Sequence, residues 1–125
     1  MSILTNAIRA CLGPVTTGEN GSLRAEALFP PDFPGFSGHF PGNPVLPGVC
    51  LVQAALVVLS IDRKTTVRLK RLVTAKWPAS VLPGETVRII LMPGAAAVVK
   101  ALVTRGADRV AEFSMEIVTS AGSSG

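Results

Sequence analysis

Residues 30–48 hold six prolines (Pro30, Pro31, Pro34, Pro41, Pro44, Pro47) and four glycines (Gly35, Gly38, Gly42, Gly48). Proline fixes φ and removes an amide donor, so neither a long helix nor a central strand can run through such a stretch. The same segment carries Phe33, Phe36 and Phe40, three of the five phenylalanines, and it encloses His39, the only histidine. A connection this stiff and this aromatic is expected to pack against something rather than wave in solvent. Behind it, Pro47 suits the first turn of a helix, and residues 48–61 are good helix formers mixed with valine. Their apolar side chains run round the whole circumference, which marks a buried helix rather than a surface one. Whatever else the chain forms must therefore sheathe that helix.

The remaining residues have the pattern to do so. Residues 23–29 alternate, with Leu23, Ala25, Ala27 and Phe29 on one side and Arg24 and Glu26 on the other, the mark of a half-buried strand. A helix over residues 5–12 is stopped by Gly13-Pro14. Further strands are expected over residues 67–76, 86–92, 96–104 and 109–119. They are punctuated by Pro83-Gly84-Glu85, Pro93-Gly94 and Gly106-Ala107-Asp108. Strands about ten residues apart with short turns predict an antiparallel meander. One buried helix with a following antiparallel sheet is α+β, the sheet wrapped around the helix. At 125 residues the chain fits one domain, 1–125, with a polar, flexible tail over about 120–125.

Composition narrows the function classes. The net charge of +4 and pI near 9.7 favour an acidic partner. Nucleic acid is not expected, because the chain has no Tyr, one Trp and no glycine–aromatic RNA-binding string. Neither Cys11 nor Cys50 lies near a second potential ligand, so no metal site is expected and both thiols are read as reduced and inert. The longest apolar run, residues 48–60, contains Gln53 and is too short to span a bilayer. No Lys/Arg-led apolar segment opens the chain, so no membrane or secretory role is expected and the cytoplasm is the expected location.

The string Gly38-His39-Phe40-Pro41-Gly42-Asn43-Pro44-Val45-Leu46-Pro47-Gly48-Val49 resembles the hotdog-fold (3R)-hydroxyacyl-[acyl-carrier-protein] dehydratases of fatty-acid synthesis and their aryl-polyene relatives. Their signature is His-Phe-Pro-Gly-x-Pro, two apolar residues and Pro-Gly-Val, followed by a helix. The resemblance implies a hotdog fold that dehydrates 3-hydroxyacyl to trans-2-enoyl thioesters, with no cofactor. It makes His39 the base that takes the proton alpha to the thioester, and Gly48 the amide donor to the carbonyl oxygen. Phe40, Pro47 and Val49 then line the substrate. A substrate carried by acyl carrier protein or coenzyme A, and a homodimer or dimer-based oligomer whose sites join two subunits, follow from the same resemblance.

One position departs from it. The family's helix carboxylate falls fourteen residues after the histidine, where this chain has Gln53. A carboxyl group exchanges a proton near neutral pH, whereas an amide only donates and accepts hydrogen bonds. Gln53 can orient a hydroxyl or a water, but it cannot be a general acid. An unpaired buried amide costs roughly 1–3 kcal/mol, so Gln53 is read as facing the site rather than the core. Independently of the resemblance, the first amides of the helix, at Gly48 and Val49, sit at the positive end of its dipole without intrahelical acceptors. They suit a carbonyl gaining enolate character. The basic residues Arg68, Lys70, Arg71 and Lys76 suit an acidic carrier protein or a phosphate, and equally a solvated strand face. Three functions stay open at this level: a dehydratase-like enzyme with any acid drawn from water or from Glu85 or Glu112, a hotdog acyl thioesterase, and a catalytically silent acyl-binding or partner subunit.

Overall fold

The computed structural model of the protein describes residues 3–36 and 45–119. The expectations for His39, Phe40 and the tail at 120–125 therefore fall outside the described residues. Helix α1 (Ile3–Cys11) leads into a two-residue strand β1 (Thr16–Thr17) and then β2 (Leu23–Leu28). The 16-residue helix α2 (Gly48–Arg63) follows, then β3 (Val67–Lys76), β4 (Thr86–Pro93), β5 (Val98–Arg105) and β6 (Asp108–Thr119). All pairings are antiparallel and the order across the sheet is β1-β2-β4-β5-β6-β3. The expected meander holds for β4-β5-β6, but β3 leaves it. Instead of pairing with β4, β3 crosses to the far side of β6 and becomes an edge.

The sheet buries one face against α2. Residues 87, 89 and 91 of β4, 99, 101 and 103 of β5 and 113, 115 and 117 of β6 all turn inward, as the two-residue period of a strand dictates. They meet Cys50, Leu51, Val52 and the unbroken run 54–59 of α2. Ala54, Ala55 and Val58 are fully buried, and small side chains at 54 and 55 suit a helix enclosed so closely. The helix ends where Lys64 adopts the left-handed conformation (φ 55°, ψ 36°) and its amide donates to Ser60 O.

Of the expected aromatic packing, Phe29, Phe33 and Phe36 form an edge-to-face series, with centroids 5.0 and 6.0 Å apart, and all three are buried. Strand β5 starts two residues later than its hydrophobicity predicts. Ala95–Ala97 form a tight turn closed by Gly94 N–H donating to Val98 O at 2.8 Å, with Ala96 and Ala97 both at positive φ.

Candidate active site

Two features of α2 lie where chemistry was expected, and they have different surroundings. The first is the helix start. Pro47 precedes it in extended conformation and supplies no side-chain cap, while the Cys50 amide already donates to Pro47 O at 2.9 Å. Gly48 lies under the indole of Trp77, so close that a β-carbon there would come within 3.0 Å of Cε2 and Cζ2. Only glycine lets the two surfaces meet in this way. The indole in turn lies against Phe113 (5.6 Å between centroids) and keeps 44% of its surface exposed. Val49 points outward, 60% exposed, which places it at the mouth rather than in the core.

The second feature is Gln53. It is half-buried, one of the few α2 residues not taken into the core, and it opens onto a groove between α1, α2 and the start of β3. Leu56, Val57 and Leu69 give this groove an apolar floor, and Arg9 and Arg68 stand at its sides. Among the described residues no carboxylate lines it.

The two alternative acids are engaged elsewhere. Glu85 Oε1 accepts from the Leu82 amide at 2.8 Å and from Arg105 Nη1 at 3.0 Å. Glu112 pairs with Arg109 at 3.1 Å. The basic residues of β3 do not form one free patch either. Lys70 and Arg71 both meet Glu116, at 3.4 and 3.3 Å, while Arg68 lines the Gln53 groove and Lys76 lies in a trough with Trp77.

Cys11 and Cys50 are free thiols. Burial pushes both above the ordinary thiol value, and Asp32 adds to the effect at Cys11. Neither is an activated nucleophile. Among the described residues there is no cluster of three or more potential metal ligands, and none of their helices is long and apolar enough to cross a membrane.

Sequence reasoning missed Trp77 as a cover for Gly48, Arg9 as a wall of the Gln53 groove, and Arg105. A lone tryptophan directly before proline at a strand end was the one available signal. Nothing local marks Arg9 or Arg105, whose roles depend on segments far along the chain.

An antiparallel sheet packed on one buried helix that starts at a glycine defines a hotdog-fold domain. The chain belongs to the ApeI-like family of ApeI dehydratases, whose pattern it matches over residues 15–116. It is also similar to the 3-hydroxyacyl-[acyl-carrier-protein] dehydratase FabZ of Ehrlichia chaffeensis, 39% identical over 89 residues, covering 67% of this chain and 58% of that protein. FabZ of Ligilactobacillus salivarius is 39% identical over 61 residues, 43% of this chain and 44% of that one. The chain thus spans about half the length of these curated relatives. Among solved structures, the dehydratase heterocomplex ApeI:P from Xenorhabdus doucetiae shares the fold, with a TM-score of 0.75 and 14% identity over 85% of this chain and 95% of that one.

Proposed function

We propose that the protein is a 3-hydroxyacyl-thioester dehydratase, acting in the cytoplasm on substrates held by acyl carrier protein or coenzyme A. His39 takes the alpha proton. The Gly48 amide holds the carbonyl oxygen as enolate character develops, and Phe40, Pro47 and Val49 line the acyl group. Gln53 orients the departing hydroxyl, whose proton comes from water. The observation that carries this reading is the uncapped start of α2 at Gly48, directly behind the histidine-bearing motif. Amides there favour a developing negative charge without needing the missing carboxylate.

Helical geometry supports a site shared between subunits. Gly48 and Gln53 are five positions apart, about 140° around the helix and about 7.5 Å along it. Their neighbours also differ, Trp77 for one and Arg9, Arg68 and Leu69 for the other. One substrate is reached by both residue types when a second hotdog subunit presents its own α2 from the opposite side. The edge strand β3 offers the surface for such a subunit. It is exposed along most of its length and carries Leu69, Leu72 and Val73 in the open. A second copy of the chain there gives the homodimer.

The absence of a carboxylate at position 53 favours one further reading, in which the partner is a homologue that contributes the acid. His39 then works opposite the partner's carboxylate, and Gln53 marks the silent half of the pair.

The test follows 3-hydroxyacyl and trans-2-enoyl thioesters by enoyl absorbance and by free thiol. Reversible hydration without thiol release is expected, and Gln53→Glu should raise the rate by about 10²-fold or more. Thiol release would assign a thioesterase instead. No turnover in folded, dimeric wild type and Gln53→Glu leaves the acyl-binding partner subunit.

A further inference from the structure

We propose that Arg105, with Glu85, is a positioning pair for the thioester site, acting through residues 77–85. This rests on the reading above that the start of α2 at Gly48 holds the thioester carbonyl. Residues 77–85 form neither helix nor strand, yet they are tied at both ends of the segment that matters. Gly84 N–H donates to Phe29 O at 2.7 Å, immediately before the proline-rich segment begins. Leu46 N–H donates to Val81 O at 2.9 Å, two residues before α2 begins. Phe29 and Leu46 are thus both tied to one loop. That loop also delivers Trp77 onto Gly48.

Besides the buried Val81 side chain and the Ala79 amide, which donates to Val110 O at 3.4 Å, one guanidinium ties the loop to the sheet. Arg105 Nη1, at the end of β5, donates to Ser80 O at 2.7 Å and to Glu85 Oε1 at 3.0 Å. The same Glu85 oxygen accepts from the Leu82 amide at 2.8 Å, which closes the turn from within. The pair is only partly exposed, 28% for Arg105 and 31% for Glu85, so solvent screens it less than the open pairs of the outer sheet face. Charge-assisted bonds to a backbone carbonyl and a carboxylate from one planar group set both distance and direction. A lysine offers one ammonium on a flexible stem and holds one acceptor less well. Arg105 therefore links the frame of the sheet, through one loop, to Phe29, to Leu46 and to the start of α2 at Gly48.

The experiment compares wild type with Arg105→Met, Arg105→Lys and Glu85→Gln, and with Arg88→Met as a control that breaks an open pair with Glu26 on the outer face. Circular dichroism first establishes which variants are folded. Amide exchange at Leu46 and Gly84, emission of Trp77 (the only tryptophan) and steady-state kinetics are then measured. In Arg105→Met, exchange at both amides should rise by about 10-fold. Trp77 emission should shift to the red, and kcat should fall by about 10-fold with KM little changed. Arg105→Lys should lie between, Glu85→Gln should match Arg105→Met, and Arg88→Met should change none of these. Exchange at Leu46 and Gly84 that is unchanged in folded Arg105→Met would overturn the proposal, as would a kcat no lower than that of Arg88→Met in an active wild type. Should wild type show no dehydration, the dehydratase reading fails by itself, and exchange and Trp77 emission still decide whether the pair positions the loop. Should Arg105→Met not fold, Arg105→Lys and Glu85→Gln carry the same comparison.

Discussion

Gly48 and Trp77 are in contact across the mouth of α2, and each limits what the other can become. A methyl group on Gly48 would stand 3.0 Å from two indole carbons. The indole lies against Phe113 but is 44% exposed, so it gives way more cheaply than a core side chain would. Gly48→Ala should therefore change folding stability by no more than about 1 kcal/mol, while red-shifting Trp77 emission and lowering dehydration kcat. Fluorescence and thermal unfolding on one sample check both halves of that expectation. The place of Gly48 at the helix start was readable from the string it belongs to, because proline at a first turn is a local signal. Its cover was not, since 29 positions separate Trp77 from it in the chain. Gln53 was legible for another reason: an amide in an otherwise apolar helix is out of place unless something faces it. Its groove was not legible, because α1 and β3 supply half of the walls.

At the scale of elements, Ser60 joins the end of α2 to the start of β3. Its hydroxyl donates to Leu56 O at 2.8 Å and accepts from the Val67 amide at 2.9 Å. Removing it leaves the first amide of β3 without that acceptor in a part-buried place. Ser60→Ala should destabilise the fold by about 1 kcal/mol, seen as a lower denaturation midpoint with an unchanged slope. Strand β3 itself shows how far a pattern carries. Residues 67–76 were readable as a strand from their Val, Leu and Thr content, and the bounds agree. Their place in the sheet was not, since Leu69, Leu72 and Val73 look like core residues and are exposed at the edge. Pairing with β6 instead of β4 is a long-range choice, set by which strands the helix brings within reach.

At the scale of the molecule, that open edge is where a second subunit is expected. Val73 sits at a bulge, between the Leu72–Met115 and Thr74–Ser114 pairings, so it can change without costing β6 a partner. Val73→Lys should leave the unfolding free energy within about 0.5 kcal/mol at concentrations where the chain is monomeric. It should weaken dimerisation by about 10-fold, as sedimentation velocity would show. The thiols give a second global expectation. Folding raises both above the ordinary value of 9.0 by burial. The folded state thus holds its thiol protons where the unfolded chain releases them. That stability is complete below pH 9 and is lost as pH climbs through the higher folded values. Melting temperature should therefore fall more steeply above pH 9 in wild type than in a Cys11→Ala/Cys50→Ala variant.

Local chemistry decided a great deal before any folding was considered. Prolines at fixed φ ruled out a long helix or a central strand over residues 30–47, an apolar circumference demanded a sheath for residues 48–61, and alternation, β-forming residues and turn signals marked the strands. Each of these is a property of neighbouring residues along the backbone. Tertiary structure alone decided that β3 lies at an edge, that Trp77 covers Gly48, and that Arg105 meets Ser80 and Glu85 in the loop bonded to Phe29 and Leu46. Those facts join residues tens of positions apart. Closing such loops is driven by burial of the whole core, and no short window of sequence contains that free energy.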